Sequence, residues 1–263
     1  MSDCNISVVI STRNPDKYKL KQALDSIENQ TVKPYEILLV DDASSHALSF
    51  DDVSGISNIR IIRLEESYGL AYALNKGISE ATGNIIARMD DDDISLPERF
   101  ERQLELLNQG VDCCFTAIEA FGDGFEYTQS IIHKKMTNKR IKKYLEIKGN
   151  PFCHSSAMFR KKVFEDVGGY NEKILFSQDY DLWLRLSNIC IMGYLEEILV
   201  RWRFAGNKKS KEKEALQTSF CEYSRYYAFL NSKQNVVDII RLLFSYIYLF
   251  LQIVFVKRRQ FDE

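Results

Sequence analysis

Short apolar runs alternate with longer amphipathic stretches through the first 110 residues. Ile6–Ile10, Ile37–Val40, Ile59–Ile62 and Ile85–Ala87 are too short for helices and rich in β-branched side chains, so they predict strands buried on both faces. Between the first two, Leu20, Ala23, Leu24 and Ile27 recur at i, i+3, i+4 and i+7, the spacing of one helical face. Leu70, Leu74, Ile78 and Ala81 do the same before the fourth run, and Gly83 reads as the stop of that helix. Phe100, Leu104 and Leu107 predict a third helix, with Pro97 in its first turn. Alternation of this kind implies an α/β fold, a mostly parallel sheet flanked by helices. From about 112 to 205 the pattern is less regular. A strand over 155–159, a turn at Gly168-Gly169 and a helix over Asp179–Leu186 are its readable parts.

Ligands in such folds bind beyond the carboxyl ends of the strands. Those ends read Ser11-Thr12-Arg13-Asn14, Asp41-Asp42-Ala43-Ser44 and Asp90-Asp91-Asp92-Asp93. No glycine-rich phosphate loop follows the first strand, which disfavours dinucleotide enzymes and P-loop NTPases. Four consecutive aspartates repel one another. Two readings fit them: a hard cation, Mg2+ or Mn2+, held by oxygen ligands, or a solvated acidic loop that caps the next helix. A calcium EF-hand is excluded, because its glycine and terminal glutamate are missing. With 35 basic and 37 acidic side chains in 263 residues, no nucleic-acid partner is expected. Six cysteines without CxxC spacing read as buried thiols in a reducing compartment.

These motifs, taken in order, resemble the family 2 glycosyltransferases. The resemblance runs through Ser7–Asn14, Glu36–Ser44, Ala87–Ile94 with Pro97-Glu98-Arg99, His154–Arg160, Gly168-Gly169-Tyr170 and Gln178–Arg185, about residues 5 to 205. It implies the GT-A fold and inverting transfer of a sugar from a nucleotide diphosphate, with a UDP-hexose as the expected donor. It also implies residue roles: Ser11, Arg13, Asp41, Asp42 and Asp91 meet the nucleotide sugar, with Asp42 on the uracil ring. Asp90 and Asp92 fit the metal motif, and Asp179 falls on the catalytic base. The family's usual glutamate before that base is Gln178 here. Without the resemblance, Asp179 also reads as a helix N-cap, and His154 as a structural histidine or a contact to phosphate or acceptor. Trp183 reads as core.

Between Lys134 and Lys148 stand seven basic residues, Lys142 and Lys143 among them, and one acid, Glu146. From Val236 to Val256 the chain is mostly apolar and uncharged apart from Asp238 and Arg241, and Lys257-Arg258-Arg259 follow. Its uncharged part, Leu242–Val256, is fifteen residues, short of the about 20 that a span needs. A helix lying in a membrane interface fits, with a buried helix or dimer contact as the competing reading. No secretory signal is evident at the N-terminus. The expectation is a GT-A domain over 1–205 and a helical, membrane-associating appendage over 206–263, peripheral to the inner face of the cell membrane. The expected partners are a nucleotide-sugar donor, a lipid-linked saccharide acceptor and the inner-leaflet surface; Lys142, Lys143 and His154 are the candidate acceptor residues. A metal-dependent nucleotidyltransferase and a non-catalytic sugar-nucleotide-binding subunit are the alternatives.

Overall fold

All four apolar runs become strands. A computed structural model describes residues 5–122, 128–134 and 136–204, with Cys221 and Ser224 beyond them. By its contacts the chain divides into two units, Met1–Lys208 and Lys209–Glu263. In chain order the first elements are β1 (Ile6–Thr12), α1 (Lys17–Glu28), β2 (Glu36–Asp41), β3 (Ile59–Arg63), α2 (Leu70–Glu80) and β4 (Ile85–Asp90). These strands pair in parallel in the order β3-β2-β1-β4. Each crossover is long enough to hold a helix or an equivalent segment, as parallel pairing requires. β1, β2 and β4 are buried along nearly their whole length, which explains why they read as unbroken apolar runs. β3 lies at the edge, and there Arg60 and Arg63 are exposed.

α1 starts because the Asp16 side chain accepts from the backbone N–H groups of Tyr18 and Lys19. Its predicted face, Leu20, Ala23, Leu24 and Ile27, is fully buried. α2 lies against β1 and β2 so closely that a Cβ at Gly77 would stand 2.7 Å from Val9 Cγ1 and 2.9 Å from Val40 Cγ2. Gly83 has a different reason from the expected one. The helix ends at Glu80 and Gly83 is not left-handed; a Cβ there would meet the carbonyl oxygen of Asn5 at 2.4 Å. Close approach of two backbones, not helix termination, requires this glycine.

The second half carries β5 (Ile94–Ser95), α3 (Arg99–Asn108), β6 (Cys113–Gly122), β7 (Gln129–Ile131), α4 (Asn138–Lys148), β8 (Met158–Arg160), α5 (Lys161–Asp166), α6 (Gln178–Leu186) and β9 (Met192–Phe204). The sheet continues β4-β8-β6-β9-β5, with β7 on β6, and mixes parallel and antiparallel pairs. The strand expected over 155–159 is shorter: a 3-10 turn occupies His154–Ser156 and only β8 follows. β6 and β9, the two longest strands, pair in parallel over their length with bulges between Thr116 and Ile118. Trp183 is core, edge-on to Phe115. Cys113, Cys114 and Cys190 are buried free thiols, and burial pushes Cys114 and Cys190 up to about 12. Among the described residues no helix is long and apolar enough to cross a membrane. The apolar stretch 236–256 and the expected appendage from 206 lie outside the described residues, save Cys221 and Ser224.

Candidate active site

Sheet register brings the three polar strand ends together. Ser11 stands opposite Asp90, and Thr12 opposite Asp41. The loops beyond β1 and β2 are clipped to each other: Asn14 N donates to Ser44 Oγ at 2.8 Å, and Ser45 N donates to Asn14 Oδ1 at 2.7 Å. Asn14 and Ala43 are both left-handed, at φ 51° and 53°. For Ala43 that costs about 1 kcal/mol, which the surrounding bonds must offset. Asp41 organises this loop. Its buried carboxylate accepts from Ser44 N at 2.9 Å and Leu48 N at 3.2 Å and pairs with Arg63. Burial alone would raise its pKa, but the bonds from Ser44, Arg63 and Leu48 together hold it low.

Asp42 faces the turn before α2. It accepts from Tyr68 N at 2.8 Å, Ser67 Oγ at 2.8 Å and Gly69 N at 3.1 Å, and is almost wholly buried. A carboxylate has about four acceptor sites, so one remains. Ser11 is half-buried at the strand end. Arg13 is exposed and has no hydrogen-bond partner among the described residues.

The acidic loop is not simply solvated. Arg88, 2% exposed, lies beneath it and forms an ion pair with Asp90. Arg88 Nη1 also donates to Ser155 Oγ at 2.9 Å, and that hydroxyl bridges Asp90 and Asp93. Burial opposes the charge on Asp90, yet Arg88 holds its pKa below the usual range. Asp93 is buried; it accepts from Arg203 N at 2.7 Å, and burial with Asp90 nearby raises its pKa. Arg203 also reaches back to Asp92 O at 2.7 Å and to Gln22 Oε1 at 2.8 Å, which locks β9 to the loop. Asp91 accepts from Thr12, while burial pushes it up to about 6.

Asp92 differs from its neighbours. Its carboxylate has no hydrogen bond among the described residues, and burial followed by repulsion from Asp90 raises its pKa. A hard divalent cation would relieve that repulsion, so the donor set fits one. Among the described residues no three His, Cys, Asp or Glu side chains group as a complete metal cage. That also fits an ion whose shell is finished by substrate phosphates. Asp90, the other expected ligand, already has Arg88 as its counter-charge.

Asp179 occupies the first turn of α6, and the N-cap is Ser177, left-handed at φ 61°. The capping position is therefore not Asp179. Its half-buried carboxylate accepts from Asn150 Nδ2 at 2.6 Å, and burial raises its pKa against the pull of the helix N–H groups and Arg88. Gln178 donates to Leu175 O at 2.7 Å and closes the preceding turn, a bond that a glutamate could not make. His154 Nε2 lies 2.6 Å from Tyr170 Oη, and its ring sits edge-on to Tyr170 and Trp183. Burial, then Arg88, lowers its pKa far below the ordinary value, so the imidazole is neutral. Lys142 is half-buried and Lys143 exposed on α4.

With this geometry in place, comparison with known proteins is decisive. Residues 7–168 match the family model described as "Glycosyl transferase family 2". The chain belongs to glycosyl transferase family 2. Similar relatives include the O-antigen biosynthesis glycosyltransferase WbnJ of Escherichia coli, 32% identical over 92% of this chain and 94% of that protein. The amylovoran biosynthesis glycosyltransferase AmsE of Erwinia amylovora is 32% identical over 79% of each chain. A third, from Escherichia coli, is named UDP-Gal:alpha-D-GlcNAc-diphosphoundecaprenol beta-1,3-galactosyltransferase and is 30% identical over 86% of this chain and 84% of that one. Among solved structures, S. aureus TarS 1-349 in complex with UDP-GlcNAc shares the fold at TM-score 0.69 and 16% identity, covering 90% of this chain and 70% of that one. Sugar transfer is thus the chemistry this glycosyltransferase performs.

Sequence reasoning assigned no role to Arg88, Ser155 or Asn150. An arginine inside an apolar strand, two residues before an acid, was the available signal for the first. Replacing it leaves Asp90 without its counter-charge. Arg88→Met is expected to lower stability by about 2–4 kcal/mol near neutral pH, read by urea unfolding. Asp90 has a lowered pKa in the folded state, so this contribution is present above the ordinary carboxylate value of about 4 and lost as pH falls through the folded one. The gap between variant and wild type should therefore narrow below about pH 4.

Proposed function

We propose that this glycosyltransferase moves a hexose from UDP to a saccharide carried on a polyprenyl diphosphate, with inversion, at the inner face of the cell membrane. The observation that carries the reading is a continuous arrangement: the acidic strand end, the buried-edge carboxylate Asp179, and the basic helix α4 whose end supplies Asn150 to Asp179. Lys139, Lys143 and Lys148 are exposed along that helix, and Tyr180 Oη binds Leu145 O at 2.5 Å to fix α4 against α6. A lipid diphosphate places an anionic group just beyond the reacting sugar, and lysines would hold it as point charges. The name of the E. coli galactosyltransferase, which specifies a diphosphoundecaprenol-linked acceptor, supports the same class. So does the sequence of residues 236–259, apolar with a basic end.

In this reading the acceptor hydroxyl gives its proton to Asp179 as its oxygen attacks the anomeric carbon, and the bond from that carbon to the diphosphate breaks. One displacement without a covalent intermediate inverts the centre. Asp42 has one acceptor site left for the imide N–H of uracil, and Arg13 is available to the diphosphate. Asp92, with Asp90 beside it, would hold Mn2+ or Mg2+. When bound, that ion neutralises the charge developing on the leaving diphosphate. A nucleotidyltransferase would want a basic, glycine-rich loop after β1, and Asn14-Pro15-Asp16 stands there instead.

Asp179→Asn should lower turnover by about 10²-fold or more while UDP affinity stays nearly unchanged. Because burial raises the pKa of Asp179, the wild-type rate should fall as pH drops through that raised value, where the base becomes protonated. Near-normal turnover of the variant would sink the assignment. Asp92→Asn should weaken UDP binding when Mn2+ is present and leave it unchanged in EDTA, by calorimetry; full wild-type activity in EDTA would remove the metal from the scheme. Reversing charge at Lys142 and Lys143 to Glu should raise the acceptor KM more than the donor KM. Equal transfer to a free sugar and to the same sugar on a lipid diphosphate would decide for a soluble acceptor.

A further inference from the structure

One oxygen of Asp179 is already engaged. Asn150 Nδ2 donates to Asp179 Oδ2 at 2.6 Å, while Phe152 N donates to Asn150 Oδ1 at 3.0 Å. The second bond decides which end of the amide is the donor, since a backbone N–H can only meet the carbonyl oxygen. Asn150 lies just past α4, after Gly149 at φ 107°, and precedes Pro151, which restricts it to extended backbone. The Tyr180 hydroxyl on α6 anchors to Leu145 O on α4, so the helix that carries Asp179 is tied to the helix that precedes Asn150. Phe152, which follows, is buried and stacked on Phe115 with ring centroids 4.1 Å apart. The segment that presents the amide is therefore held at both ends.

We propose that Asn150 is a positioning residue for sugar transfer: by holding Asp179 Oδ2 it sets the rotation of the carboxylate that meets the acceptor hydroxyl, and it favours the ionised form. This rests on the reading of Asp179 as the base. The proton leaves the acceptor hydroxyl for the Asp179 carboxylate, the oxygen's electron pair forms the new bond to the anomeric carbon, and the UDP oxygen departs with the pair of the old one. Asn150 itself gains and loses nothing. A fixed amide is suited to this, because a donor with no titration of its own acts at every working pH. The charged and titratable groups that face Asp179 from other elements are Arg88, which favours its ionised form, Asp90, which opposes it, and Tyr170. The carboxylate also accepts from the backbone N–H groups of Asp179 and Tyr180 in its own helix, while Asn150 is a side chain from another segment that holds Oδ2.

The test uses the full chain. UDP-galactose, UDP-glucose and UDP-N-acetylglucosamine are screened first for the donor the wild type turns over. The pH dependence of kcat is then measured for wild type, Asn150→Ala, Asn150→Asp and Asp179→Asn, with UDP binding followed in parallel. Loss of a hydrogen bond to a charged group should move the acid limb of Asn150→Ala upward by about 1–2 pH units and lower kcat about tenfold at pH 7. Donor KM and UDP affinity should stay within about twofold. Asn150→Asp keeps the shape and the bond from Phe152 N but sets a second carboxylate against Asp179, so its limb should move further. Acid limbs matching wild type in both variants would overturn the proposal. So would UDP binding lost in step with turnover, which would make Asn150 a structural residue alone. If Asp179→Asn keeps wild-type turnover, the base assignment itself fails; if that variant is inactive and the Asn150 variants are unaltered, only the present inference does.

Discussion

Four adjacent carboxylates at the end of a buried strand need positive charge behind them, and Arg88 supplies it. Its guanidinium is closed to solvent, joins Asp90 directly and reaches Asp93 through the shared Ser155 hydroxyl. Burying an unpaired charge there would cost several kcal/mol, so strand, loop and turn are conditioned on this contact. The turn that carries Ser155 must lie against β4, which is why a 3-10 segment precedes β8 where a longer strand was expected. Arg99 supports the same corner, donating to Arg88 O at 2.9 Å and to Ala157 O at 3.2 Å.

Neutralisation from below is incomplete by design of the geometry. Asp90 is paired, Asp91 binds Thr12, and Asp93 is enclosed by Ser155 and Arg203, yet the Asp92 side chain is left without a hydrogen bond among the described residues. The loop is thus tied down at Asp90, Asp91 and Asp93 and electrostatically unsatisfied at Asp92. A site of this kind is preorganised, because its backbone need not rearrange when charge arrives. The left-handed Ala43 adjoins Asp42 and the left-handed Ser177 stands two residues before Asp179, so local backbone strain lies close to two of the candidate site residues.

How much of this was legible in the chain follows from which forces are local. β1, β2 and β4 and the buried faces of α1 and α2 could be read directly, since burial on both faces or on one stripe imposes periodicity on neighbouring residues. The acidic strand end and Asp179 were visible for a related reason: they lie in ordered motifs that resemble a family, and the family match covers the first of them. β6 and β9 were not legible. β9 carries Glu196, Glu197, Arg201 and Arg203 among its apolar residues, and its bulged register with β6 breaks the two-residue alternation. Gly83 was seen but given the wrong reason, because a close backbone approach depends on residues 78 positions away.

Contacts across long separations fall outside any local pattern. Arg88 with Ser155 spans 67 residues, Arg203 with Asp93 spans 110, and Asn150 with Asp179 spans 29. Local hydrophobic spacing was enough to dictate the α/β class and where the polar strand ends would gather, because strand length and helix period are properties of neighbouring residues. Which aspartate would be paired, which enclosed and which left open depended on groups brought from three distant segments by sheet register and helix packing. Their identities were in the sequence throughout; their partnership exists only once the sheet has closed around them.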